Sequence, residues 1–209
     1  DILDEVWRTG MPYSGQNMPV FLRWSGVALP ELRHVDFVYQ PIRDAQGDLI
    51  PTLYAAATFE AASMESVFHD VSHAPGFKHY DQRELEGQLH SEVKVKRELK
   101  LADLSSVALR KLGAQCKQLT DTEKDQYPAT RRWAEALHAQ HPEIQGLSWI
   151  SRQDDSARAV MLFGDRIPKG ALHQVGDSRS LLKEEQTYAQ LLNLADRIGV
   201  DIVPGKGTP

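Results

Sequence analysis

The chain is almost devoid of cysteine: Cys116 is the only one in 209 residues. No internal disulfide can form, and a zinc site built from several thiolates is excluded. A lone thiol suits a reducing compartment, so the cytoplasm is the expected location. Basic residues are not in excess either. Lys and Arg number 24 against 29 Asp and Glu, a net charge of −5. That balance carries no electrostatic footprint for nucleic acid. No apolar run approaches the ~20 residues of a membrane span, and the opening DILDEVWRTG lacks the pattern of a signal peptide. Phosphate-binding glycine loops of the GxGxxG and GxxxxGK[ST] kinds are missing, as are HExxH and GxSxG. The 8 His are scattered, so no metal is expected. Ser–His–Asp chemistry has no local signature.

What remains is ordinary for a globular protein, with 41% hydrophobic and 25% charged residues. The length suffices for one sizeable domain with a real core. Neither an internal repeat nor a linker divides the chain, so a single domain over 1–209 is expected. The order of elements suggests a mixed α/β or α+β domain.

The stretch Thr52 to His69, TLYAAATFEAASMESVFH, organises the rest. Its composition predicts a short strand over Thr52–Ala57, a turn at Thr58-Phe59 and a helix from Glu60 to about His69. Thr58 is the expected helix cap. Ala61, Met64, Phe68 and Val71 make one apolar stripe. Glu65 lies beside that stripe and His69 follows it by one helical turn. Alone, such a Glu and His are more often a solvated pair than a site. The apolar neighbours sharpen the reading, since a carboxylate among Ala, Met and Phe must be paired or have its pKa raised. With Tyr54 on the preceding strand, a carboxylate, an imidazole and a phenol can converge where strand meets helix.

Elsewhere, residues 11–35 suggest loops with short strands or a helix, and Val35–Tyr39 has strand composition. Pro41 to Asp48 reads as a turn. Ser72–Phe77 is a loop, and His79–His90 is polar, part loop and part helix. Glu92–Leu99 predicts a half-exposed edge strand with Val93, Val95 and Leu99 on one face. Leu101–Leu112 has mixed periodicity. Thr130–His141 predicts an amphipathic helix with Trp133, Ala134 and Leu137 inward, stopped by Pro142. Gly146–Ser151 and Arg158–Phe163 predict two strands joined by the polar turn 152–157. Ser180–Ile198 predicts a helix, with Leu181, Leu182, Leu191, Leu192, Leu194 and Ala195 apolar and Gly199 as its stop. A short strand, Val200–Val203, follows.

Three ordered pieces resemble the RES domain, the toxin half of RES–Xre toxin–antitoxin modules. Val6-Trp7-Arg8-Thr9-Gly10 is similar to the family's early aromatic-Arg element. Leu53-Tyr54-Ala55-Ala56, then Ala61-Ala62, Met64-Glu65 and Phe68-His69, resembles its "LYxA…aAxxE…H" block. Gly146 through Ser151, then Val160 to Phe163, is similar to its "G…S…lvLF" segment. One position departs: Val38 in Val38-Tyr39-Gln40-Pro41 stands where the family carries Arg, which leaves Arg43 or Arg33 as the candidate replacement.

The resemblance implies an α+β domain with a central mixed β-sheet flanked by helices, similar to ADP-ribosyltransferase folds. It implies a site that consumes NAD, by hydrolysis or phosphorolysis, or that transfers ADP-ribose to a protein. It adds an Xre-type antitoxin as partner, a homodimer within that complex, and no cofactor beyond NAD as substrate. In that reading Glu65 stabilises the positive charge that builds on the ribose as nicotinamide leaves. Arg8 clamps the diphosphate, with Arg43 as the second cation. Tyr54 stacks on nicotinamide or positions ribose, Ser151 hydrogen-bonds the amide or ribose, and His69 orients Glu65 or contacts phosphate. Without the resemblance, Arg8 reads as a surface residue, Tyr54 as a core phenol and Ser151 as an ordinary strand end. Trp7, Trp24, Trp133 and Trp149 are expected in the core.

Overall fold

Strands and helices alternate irregularly along the chain, giving an α+β arrangement whose largest sheet is mixed. The computed structural model describes residues 13–22, 31–39, 42–120 and 127–205; for 13–22, 31–39 and 127–128 the description is of the backbone alone. The chain divides into two compact units.

The first unit contains Tyr39–Glu65 and Val95–His173. Its sheet has the order β5 (Thr52–Ala56), β10 (Arg158–Phe163), β9 (Gly146–Ile150), β8 (Leu101–Asp103). The β5–β10 and β10–β9 pairs are antiparallel, and β8 runs parallel to β9. Antiparallel register puts Tyr54 beside Met161 and Leu147 beside Met161, so these three share one face. That face carries the core. Leu147, Met161 and Phe163 pack with Ile42, Ile50, Leu104, Leu109 and Ala134. Ile42 and Ile50 come from a small hairpin, β3 (Ile42–Arg43) and β4 (Leu49–Ile50), closed by the turn expected there. Gly146 allows a close approach of neighbouring strands, since a Cβ there would lie 2.3 Å from the Met161 carbonyl oxygen.

Helix α1 (Phe59–Met64) begins where expected, with the Ala61 N–H donating to Thr58 Oγ1 at 3.1 Å. It ends at Met64, however, and not near His69. Ser66, Val67, His69 and Asp70 all hold a helix less well than Ala or Leu, and the chain continues as turns. Helix α2 (Ser106–Lys111) and the single turn α3 (Cys116–Leu119) occupy the stretch of mixed periodicity and its sequel. Helix α4 (Tyr127–Gln140) is the expected amphipathic helix. Ala134 is buried and Leu137 packs on the core, whereas Trp133 is 37% exposed and does not serve the inner face. Trp149 does pack against the core. Trp7 and Trp24 lie outside the described residues. Arg166 ties down the end of α4 by donating to the carbonyls of His138, His141 and Ile144. The His138 carbonyl is one that the helix end leaves without a partner of its own.

The second unit contains Ser66–Lys94 and the chain from Gln174 onwards, with strands β1 (Tyr13–Leu22) and β2 (Glu31–Tyr39). The strand expected over 35–39 is thus longer, and Tyr13–Leu22 before it is also a strand. β6 (Lys78–Asp81) pairs in parallel with β12 (Val200–Val203). β7 (Leu89–Val95) pairs with β11 (Leu172–Ser180). β7 starts and stops earlier than expected, leaving Leu99 outside it. β11 takes Ser180, so the last helix, α5 (Glu185–Arg197), begins later than its hydrophobic pattern suggested. Glu184 caps it by accepting from the N–H groups of Gln186 and Thr187 and from the Thr187 hydroxyl. Leu191, Leu194 and Ala195 are buried, but Leu192 faces solvent. Gly199, at φ 69°, ends the helix in a conformation that glycine adopts without cost. Among the described residues no helix is long and apolar enough to cross a membrane.

Candidate functional site

The expected site residues divide sharply. Glu65 and Ser151 are brought together. Glu65 is the C-cap of α1, where its own N–H still bonds the Ala61 carbonyl at 2.9 Å. Ser151 is the first residue after β9, at the mouth of the 151–157 loop, and its N–H donates to the Ala157 carbonyl at 2.9 Å. The Ser151 hydroxyl donates to Glu65 Oε1 at 2.6 Å. Its oxygen accepts in turn from the N–H groups of Gln153, at 3.1 Å, and Asp154, at 2.9 Å. Ser151 is 1% exposed, while Glu65 is half-buried.

This arrangement has a chemical consequence. A hydroxyl donates one proton and accepts at two lone pairs. Ser151 has used all three capacities, so it holds Glu65 and the loop and has nothing left for a ligand. The bond engages the carboxylate through Oε1. The requirement that Glu65 be paired is met by this hydroxyl.

Tyr54 is 63% exposed, so it is not a core phenol. Two small residues in sheet register, Ala56 on β5 and Ala159 on β10, adjoin it. Arg43 reaches back to its own hairpin, where Nη1 donates to the Gly47 carbonyl at 2.7 Å and the backbone N–H is held by Glu135 at 3.0 Å. His69 lies past the end of α1, so helical stacking on Glu65 does not apply; its Nδ1 lies 2.8 Å from Asp70 Oδ1. Arg8 falls outside the described residues. Arg33 and Val38 lie on β2, described by its backbone alone. His73 is likewise beyond the helix, and among the described residues no cluster of His, Cys, Asp and Glu could hold a metal ion.

Two features of this end of the sheet went unnoticed in the sequence. The first is the amide pair of Gln153 and Asp154 under the Ser151 oxygen. Its signal was available: a Ser followed by polar Arg-Gln-Asp is the composition of a turn closed on a serine hydroxyl. The second is a bridge from Arg158 Nη1 to Ser148 Oγ, at 3.2 Å, and Asp103 Oδ1, at 3.3 Å. Asp103 is held below the usual carboxylate range by the Ser105 N–H, with the Ser105 hydroxyl and Arg158 adding to it against opposing desolvation. This bridge crosses three strands, and only their pairing could disclose it.

A family model described as the RES domain matches residues 23–184. The match contains Arg43, Tyr54, Glu65, His69 and Ser151 but not Arg8. Among curated proteins and among solved structures, nothing matches.

Proposed function

The chain belongs to the RES domain family, a toxin-type family associated with NAD, and on that premise we propose that it consumes NAD by breaking the nicotinamide–ribose bond. The observation that supports this most is the 2.6 Å bond from the buried Ser151 hydroxyl to Glu65. A carboxylate held by a saturated, immobile donor is pre-organised, and pre-organised charge is worth more to a transition state than mobile charge.

The reaction runs as follows. The bond between ribose C1′ and the pyridinium nitrogen breaks, and its electron pair leaves with nicotinamide. Positive charge develops over C1′ and the ring oxygen. Glu65 Oε2 faces that charge and stabilises it as it grows, while Ser151 prevents the side chain from turning away. Water attacks C1′ and loses its proton to the carboxylate or to solvent, giving ADP-ribose. Inorganic phosphate in place of water gives the 1″-phosphate. Tyr54 offers its exposed ring to the nicotinamide or ribose. The diphosphate falls to cationic side chains, among them Arg8. Arg43, whose Nη1 is held by Gly47, has other guanidinium N–H groups with which to join them. In a cell this activity empties the NAD pool and arrests growth, and an Xre-type antitoxin that covers the cleft restrains it. The place of action is the cytoplasm, where NAD is abundant.

The test is incubation of purified protein with NAD, with and without inorganic phosphate, and identification of products by mass. Nicotinamide with ADP-ribose, or with its 1″-phosphate, supports the reading. Intact NAD contradicts it, and label appearing only on an added protein target makes the chain an ADP-ribosyltransferase instead.

A further inference from the structure

The loop that joins β9 to β10 closes on itself around Asp154. The Asp154 N–H donates to Ser151 Oγ at 2.9 Å, and its carbonyl accepts from the Ala157 N–H at 3.1 Å. The Ala157 carbonyl accepts in turn from the Ser151 N–H at 2.9 Å. These bonds make a circuit, from Ser151 to Asp154 to Ala157 and back. The Asp154 side chain braces it, since Oδ1 accepts from the Ser156 N–H at 3.1 Å and from the Ser156 hydroxyl at 2.6 Å. An aspartate makes such a turn with the backbone two residues on, and an asparagine makes it as well.

The circuit has a consequence beyond the loop. A serine hydroxyl has one direction for its proton and two for its lone pairs. The Gln153 and Asp154 N–H groups take both lone pairs, at 3.1 and 2.9 Å. The proton is left with the remaining direction, and Glu65 Oε1 stands there at 2.6 Å. Any other rotation of the hydroxyl would set its proton against an N–H. Ser151 is buried, so bulk water offers it no other partner. The two amides therefore decide where the Ser151 proton goes, and the Asp154 turn decides where the amides are.

We infer that Asp154 is a positioning residue for the NAD cleavage proposed above, acting on Glu65 only through the Ser151 hydroxyl. The inference rests on that reading of Glu65, and it gives the work to the Oδ1 acceptor and none to the Asp154 charge. Steady-state NAD cleavage tests it, with hydrogen exchange of the Gln153 amide followed by NMR. Asp154→Asn keeps the acceptor and discards the charge; it should hold kcat within about twofold and keep the amide protected. Asp154→Glu keeps the charge but carries the acceptor one methylene further out. That variant and Asp154→Ala should each lower kcat about fivefold with little change in KM, and should speed exchange of the amide. Added to Ser151→Ala, Asp154→Ala should bring no further loss, because the hydroxyl it acts through is gone. Should Asp154→Ala fail to fold, Asp154→Asn and Asp154→Glu decide. A kcat that follows the charge, falling in Asp154→Asn and holding in Asp154→Glu, overturns the inference. So does a loss that adds in full to that of Ser151→Ala. An active wild type beside an equally active Asp154→Ala overturns this inference alone, whereas a wild type that leaves NAD intact overturns the reading beneath it.

Discussion

Ser151 and Glu65, 86 residues apart in sequence, meet through one hydrogen bond of 2.6 Å, and the serine oxygen is saturated by two loop amides behind it. The pair joins the end of α1 to the end of β9. It gives the carboxylate a buried hydroxyl partner.

Substitution of that support separates its two tasks. Ser151→Ala leaves two loop N–H groups without their acceptor and frees Glu65 to rotate. The expected destabilisation is about 1–3 kcal/mol. Turnover of NAD should fall about tenfold or more in kcat with a smaller change in KM, because ground-state contacts are not removed. Urea unfolding and steady-state kinetics measure both. A KM effect alone would return Ser151 to direct substrate contact.

Tyr54 separates stacking from hydrogen bonding. Its ring is exposed, so Tyr54→Ala should raise KM for NAD several-fold at little cost to stability. Tyr54→Phe should retain most of the affinity if stacking dominates. Equal losses in both variants would assign the role to the phenol hydroxyl.

Gly146 tests the sheet that carries Ser151. A Cβ at this position meets the Met161 carbonyl oxygen at 2.3 Å, and backbone cannot swing aside as a side-chain tip can. Gly146→Ala should cost about 1–3 kcal/mol or more through strain alone. Thermal unfolding reads this, and an unchanged midpoint would mean that β9 and β10 separate without penalty.

His90 gives the stability a pH dependence. Burial, then the neighbouring Arg179 guanidinium, pushes its pKa down, while Glu92 opposes them. Arg179 Nη2 donates to His90 Nδ1 at 3.1 Å, a bond that only the neutral ring can accept. Below the ordinary value of about 6.5, the unfolded chain binds this proton and the folded chain resists it. The contribution is therefore present above pH ~6.5 and lost as pH falls towards the depressed folded value. His90→Gln should flatten that slope in unfolding measured from about pH 7 to about pH 5. A slope identical to wild type would remove His90 from the effect.

The legible parts of this chain were those where local chemistry and packing agree. The strand through Tyr54, the Thr58 cap and the β9–β10 hairpin followed from composition because apolar runs, a capping hydroxyl and a polar turn coincide there. β11 did not, since Leu172–Ser180 is polar and largely exposed and carries no alternation to read. The early end of α1 was hidden for another reason. The apolar spacing of Ala61, Met64 and Phe68 mimics a helix that propensity beyond Met64 does not sustain. Glu65 was singled out through its misfit with apolar neighbours, but its hydrogen-bond partner was not foreseen, because the 86-residue separation leaves no local trace. Only the resemblance named Ser151.

The most direct measurement is nicotinamide release from NAD by Glu65→Gln beside the wild-type chain. The amide keeps the shape of the side chain and its acceptor for Ser151 but removes the charge. The account predicts a folded variant whose kcat falls about a hundredfold or more. A folded Glu65→Gln protein that releases nicotinamide at the wild-type rate would contradict it.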